Sequence, residues 1–188
     1  MGKQFPALED THKAFIAAQK IFFVASAAPQ SRVNVSPKGM SSFRILGPDQ
    51  VAYLDVTGSG NETAAHLLAS SDGRLTIMFC AFDGAPVILR LFGRGQSQMR
   101  GTPEYRRLLP LFEDLPGARQ IVRLDVAVVQ TSCGMAVPLF DYKADRDNLK
   151  RWALGQGREG LRKYWRLKNQ VSIDGLPTGI DPDRMGHD

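Results

Sequence analysis

Apolar positions follow two different periods along this chain, and the switches between them mark its elements. Over residues 8–20, Leu8, His12, Phe15, Ile16 and Gln19 recur at spacings of three and four, which predicts a helix with one modest apolar face. Residues 21–26 are rich in aromatic and β-branched side chains (Ile21, Phe22, Phe23, Val24) and predict a strand. Pro29 and Gln30 supply a turn, and in 31–36 Val33 and Val35 alternate with polar neighbours, so the two segments read as a β-hairpin. Pro37 and Gly39 break that second strand, and 43–46 is too short to assign by pattern.

After the turn signal Gly47, Pro48, Asp49, residues 51–56 predict a third strand, and the loop 57–60 leads to Asn61 as the N-cap of a helix running to about Ser70. Residues 75–81 form an almost continuous apolar run, expected to be a buried central strand. A tight connection at Asp83 and Gly84 leads into a long strand, 87–98, where Gly93 and Gly95 suggest a bend or bulge. Thr102 and Pro103 open a helix expected to reach about Glu113, and the last long strand is 121–132. Two helical stretches, about 145–154 and 158–168, precede a Pro/Gly-rich tail without periodicity.

Strands joined mostly by short turns do not make a doubly wound parallel sheet, which needs a crossover helix between each pair. The pattern predicts a mainly β protein with flanking helices, an antiparallel β-barrel. At 188 residues the chain suits one well-buried domain. We divide it into a barrel with its N-terminal helix over 1–142 and a helical extension and tail over 143–188, packed on the same domain.

Composition narrows the classes. Apolar residues make up 43% and charged residues 23%, a globular mixture with no run long enough for a membrane span. Lys3, Glu9, Asp10, His12 and Lys13 leave no room for the apolar core of a signal peptide, so a cytoplasmic location is expected. Cys80 and Cys133 are far apart, and His12, His66 and His187 are scattered singly, which argues against a disulfide framework and against a metal site. The net charge of +5 favours anionic partners. The basic residues near the C-terminus are interleaved with Asp145, Asp147 and Glu159, which is ordinary chemistry for a solvated helix face, so nucleic acid is not the expected partner.

The candidate chemistry lies in two segments. Residues 32–39 place Arg32, Ser36 and Lys38 on a short strand, a guanidinium fork and a flexible ammonium that either hold a phosphate together or are surface charges at a strand end. About two dozen residues on, Gly58, Ser59, Gly60, Asn61 and Thr63 form a polar loop at a helix start that can offer backbone N–H groups to the same anion. Neither GxxxxGK[ST] nor GxGxxG is present. His66, Cys80, Trp152 and Trp165 read as packing residues.

The run 32–38, the strand 51–55, the loop and helix to His66, and the strands 75–82 and 88–95 together resemble the split barrel of the pyridoxamine 5'-phosphate oxidase family. The segments 132–138 and 172–177 resemble a less characterised branch of it, so the likeness extends from about Ile21 to Gly179. This resemblance implies an FMN-binding split barrel and a flavoprotein oxidoreductase acting on an unknown small molecule. The alternative is a non-catalytic module that binds flavin, deazaflavin or haem. It further implies a homodimer with FMN in clefts at the interface. Arg32 and Lys38 would hold the FMN phosphate with Ser36, Asn61 and Thr63. The backbone of Val33, Asn34, Val35 and Ser36 and of Tyr53, Leu54 and Asp55 would line the ring and ribityl chain, and Arg90, Ser132 and Cys133 would reach the flavin from the partner subunit. The chain departs from the family pattern where Glu62 and Thr63 replace a basic pair, and where the C-terminal run Arg166, Leu167, Lys168 lacks the family's substrate-phosphate grip. Pyridoxamine phosphate is therefore not the expected substrate, and Arg32 and Lys38 would have to carry more of the FMN phosphate's charge.

Overall fold

The computed structural model describes residues 2–113 and 115–184, so His187 lies outside it. Its elements are β1 (Lys3–Phe5), α1 (Asp10–Ala18), β2 (Phe22–Ser26), β3 (Asn34–Lys38), β4 (Phe43–Gly47), β5 (Gln50–Val56), α2 (Glu62–Ala69), β6 (Arg74–Cys80), β7 (Val87–Met99), α3 (Pro103–Leu108), β8 (Ala118–Cys133) and α4 (Asn148–Lys168). All strand pairings are antiparallel, in the order β3-β2-β6-β7-β8-β5-β4 with β1 added on β8. The fold is a mainly β, antiparallel split barrel with flanking helices. Its two ends, β3 and β4, are joined by residues 39–42 but form no ladder with each other among the described residues. Met40 (φ 60°) and Ser41 (φ 53°) turn that connection through the left-handed region.

Alternation sets the core. On β5, Val51 and Tyr53 face the barrel interior with Phe22, Phe79 and Leu91, while Ala52 and Leu54 face the opposite side with Tyr105 and Leu108 of α3. Phe22, Phe43, Tyr53 and Phe79 pack ring against ring at 5.0–5.8 Å, and burying each such side chain contributes about 1.5–3 kcal/mol. Gly93 marks the bulge suggested by its type: the β7–β8 register slips between Phe92 and Gly93, and a Cβ there would collide with the carbonyl of Asp125.

Several expected boundaries moved for physical reasons. Pro37 does not end β3, which continues to Lys38, because β3 is an edge strand and a proline there costs no second ladder bond. The segment 43–46, too short to assign alone, is a strand because β5 templates it. α3 stops at Leu108, not Glu113, because Pro110 follows and the chain tightens into a 3-10 turn over Leu109–Leu111. The two C-terminal helical stretches abut at Gly157, which holds φ 60°. α4 docks through Trp165, fully buried, whose indole N–H donates to Thr57 Oγ1 at 2.8 Å.

Candidate functional site

The parity of β3 builds the site. Asn34, Ser36 and Lys38 turn toward the sheet interior, while Val35, and Val33 just before the strand, face outward at 62% and 71% exposure. The Ser36 hydroxyl donates to Asn34 Oδ1 at 3.0 Å, and the Asn34 amide donates to Thr63 Oγ1 at 3.2 Å and Ser26 Oγ at 3.3 Å. Ser26 in turn lies 3.0 Å from His66 Nδ1. β3 and the first turns of α2 are thereby stitched by one row of hydroxyl and amide groups. Asn61 occupies the N-cap position of α2 but makes no side-chain cap bond. Its Oδ1 accepts from Gln120 Nε2 at 2.8 Å and its Nδ2 has no partner among the described residues.

Below this row lies a buried charge cluster centred on Asp55. Lys38 Nζ sits 2.7 Å from Asp55 Oδ1, and Asp55 Oδ2 accepts from Arg119 Nε at 2.7 Å and Gln120 Nε2 at 2.8 Å. Gln120 Oε1 accepts from Ser97 at 2.5 Å. Burial alone would push the Asp55 carboxyl up; the Arg119 guanidinium and the Lys38 ammonium beside it outweigh that and hold it well below the usual carboxylate range. Burial likewise drives the Tyr53 phenol far up, with the Asp55 charge adding to it. Arg119 enters the cluster through a β-bulge: Asp55 pairs with Gln120 and Val56 with Ala118, so Arg119 is the extra residue that the bulge turns toward Asp55. Its Nη1 has no partner among the described residues.

The expected site residues divide as follows. Ser36, Asn34, Asn61 and Thr63 come together at the β3–α2 junction, with Val35, and Val33 just before the strand, facing outward. Lys38 is turned inward against Asp55 and does not stand beside Arg32 as a second open cation, because β3 alternation sends it into the barrel. Tyr53, Leu54 and Asp55 lie buried in the sheet: β5 is laddered to β4 and β8, and the three residues are 0–2% exposed. Arg32 lies just before β3, mostly exposed, and its backbone N–H donates to Asp174 Oδ2 at 2.8 Å while its guanidinium pairs with Asp174 Oδ1. Arg90 donates to Ser132 Oγ at 2.9 Å and Cys133 is exposed beside them. That group sits on β7 and β8, three and four ladder steps from β3, or roughly 14–19 Å along the sheet.

Sequence reading missed Arg119, Gln120 and Asp174. The first two fall just before the strand as it was expected to begin, at 121, and nothing in their type signals a bulge. Asp174 precedes Gly175 in what reads as a turn in the tail.

The protein-family model described as pyridoxamine 5'-phosphate oxidase matches residues 8–133. A pyridoxamine 5'-phosphate oxidase family protein, ustO of Aspergillus flavus, is 40% identical over 191 residues, covering 92% of this chain and 76% of that protein. The chain belongs to the pyridoxamine 5'-phosphate oxidase family. Among solved structures, a Lactobacillus delbrueckii protein carrying the same family description aligns with a TM-score of 0.51 at 16% identity, over 66% of this chain and 94% of that one. An FMN-binding protein from Syntrophomonas wolfei aligns at 15% identity and a TM-score of 0.46, over 62% and 80% of the two chains.

Among the described residues no helix is long and apolar enough to cross a membrane.

Proposed function

We propose that this protein holds FMN along β3, with the phosphate at Arg32 and the start of α2, and uses it to oxidise or reduce a small molecule. The observation that carries the reading is the junction itself: an edge strand with an inward row of amide and hydroxyl groups meets a helix N-terminus that has no side-chain cap. First-turn N–H groups, the orphaned Asn61 Nδ2 and the Thr63 hydroxyl are donors that suit phosphate oxygens. The exposed edge of β3 offers unladdered backbone groups to the polar rim of a flat ring. The donor set therefore fits the group, with Arg32 as its cation. Lys38, neutralised by Asp55, orients from within.

Bound FMN would supply the electron and hydride chemistry. The chain's own share is to bind, orient and exclude water, in keeping with a site whose carboxylate is locked in a buried ion pair and whose His66 is packed against Ser26. Val33 and Val35, large apolar side chains exposed on the outer face of β3, support a homodimer in which a second copy covers the cleft and brings Arg90, Ser132 and Cys133 toward the ring. Titration of FMN with the purified protein should give saturable quenching of flavin fluorescence, weakened by Arg32→Ala; absence of saturable quenching refutes the reading. Anaerobic stopped-flow mixing of the FMN-loaded protein with NADH or NADPH distinguishes an oxidoreductase, which is reduced and then reoxidised in turnover, from a binding module, which is not.

A further inference from the structure

The tail sets a carboxylate, that of Asp174, against Arg32. Residues 170–178 fold back as a small hairpin: Ser172 N–H donates to the Leu176 carbonyl at 2.8 Å, Thr178 N–H to the Gln170 carbonyl at 3.0 Å, and Gly175 turns the tip at φ 77°. Its base is anchored, with Asn169, Ser172 and Thr178 buried. Its tip is not, for Ile173 is 73% exposed. Two polar contacts hold the tip, and both lie on the residues that flank the proposed cleft. The Asp174 carboxylate accepts from the Arg32 backbone and side chain, and the Ile173 N–H donates to the Glu62 carboxylate at 3.2 Å, at the first turn of α2.

We propose that the 170–178 hairpin is a latch whose Asp174 carboxylate occupies the anion position at Arg32, so that a phosphate-bearing ligand must displace it to bind. The proposal rests on the FMN reading for its ligand and adds the regulation of that same site. A carboxylate and a phosphate monoester compete for the same guanidinium fork, and a dianion bonded also by the α2 N-terminus wins the exchange. The Arg32 side chain is exposed while that of Asp174 is half-buried, so solvent and a competing anion reach the pair from the guanidinium side and the latch can open. The bonding also explains why Glu62 can stand where a basic residue was expected: it serves the latch, not the ligand.

The test has two arms. In the first, FMN and riboflavin are titrated against wild type and Asp174→Asn, which keeps the side-chain shape and removes its charge. The latch predicts FMN binding about two- to fivefold tighter in the variant, with riboflavin, which has no phosphate, unchanged. Weaker FMN binding in the variant would mean that the tail completes the site, and equal changes for both flavins would mean that charge at Arg32 is not contested; either overturns the proposal. In the second arm, hydrogen exchange of the Arg32 and Ile173 amides is followed with inorganic phosphate against chloride at matched ionic strength. Phosphate should speed exchange at Ile173 in wild type, and no effect of phosphate there overturns the latch. This arm does not involve flavin, so a protein that binds neither flavin but responds to phosphate refutes the FMN reading and supports the latch.

Discussion

Asp55→Asn perturbs the centre of the molecule most cleanly. The substitution keeps the size of the side chain and removes its charge, leaving Arg119, whose side chain is 4% exposed, against a neutral amide. Removing one partner of a buried ion pair costs about 3–5 kcal/mol. The remaining amide oxygen can still accept one of the bonds from Arg119, Lys38 or Gln120, which puts the expected loss near the lower figure, about 3 kcal/mol. Urea unfolding followed by the fluorescence of the buried Trp165 would register this as a midpoint shift of roughly 1–2 M. Arg119→Met alone should be costly as well, and the double variant should lose less than the sum of the two, since the fully buried guanidinium is then gone and only the part-exposed Lys38 is left facing a neutral partner.

The same group sets an acid limit. Asp55 titrates lower in the folded protein than in the unfolded chain, where an aspartate titrates near 3.9. Its contribution is therefore fully present above about pH 4 and is lost as the pH falls below that toward the folded value. Wild type should lose stability over this acid range more steeply than Asp55→Asn. A loss below 1 kcal/mol in the variant, or identical acid profiles for the two proteins, would refute the view that the cluster is a mutually stabilised charge network.

Gly93→Ala should destabilise by about 1–3 kcal/mol in thermal or urea unfolding, because the added methyl collides with the Asp125 carbonyl at the β7–β8 bulge. Thr102→Ala removes the hydroxyl that accepts from the Tyr105 N–H at the start of α3 and should cost about 1 kcal/mol; an unchanged midpoint would show that the cap is not used. Trp165→Phe removes the bond to Thr57 and part of the volume that fixes α4, and should cost about 1–3 kcal/mol while speeding proteolysis near Gly157.

The sequence was most legible where burial enforces a period. The apolar run in β6 and the bend at Gly93 follow from packing and lie where their patterns point, while the alternation expected over 31–36 holds but its strand runs from Asn34 to Lys38. Where pairing overrides local pattern, the sequence was mute: β1 has three residues and exists because β8 extends far enough to receive it at Thr131–Val129, and β4 exists because β5 templates it. Of the residues expected at the site, Asn61 and Thr63 lie at the start of α2 as their types suggested, and Ser36 lies on β3 facing the same junction. Arg32 was legible as a cation but not in its partner, since Asp174 lies 142 residues away. Lys38 was misjudged for the opposite reason: type suggested an open charge, whereas strand parity turns it inward to Asp55. Arg119 depends on a bulge at Asp55 and Val56 that no residue type in β8 announces.

The central claim, that FMN lies along β3 and the start of α2, is tested most directly by mapping hydrogen exchange of the protein with and without FMN. The account predicts protection concentrated on the amides of Val33, Asn34, Val35 and Ser36 and on those of Glu62, Thr63 and Ala64. Protection confined to other strands, with these two segments unchanged at saturating FMN, would contradict it.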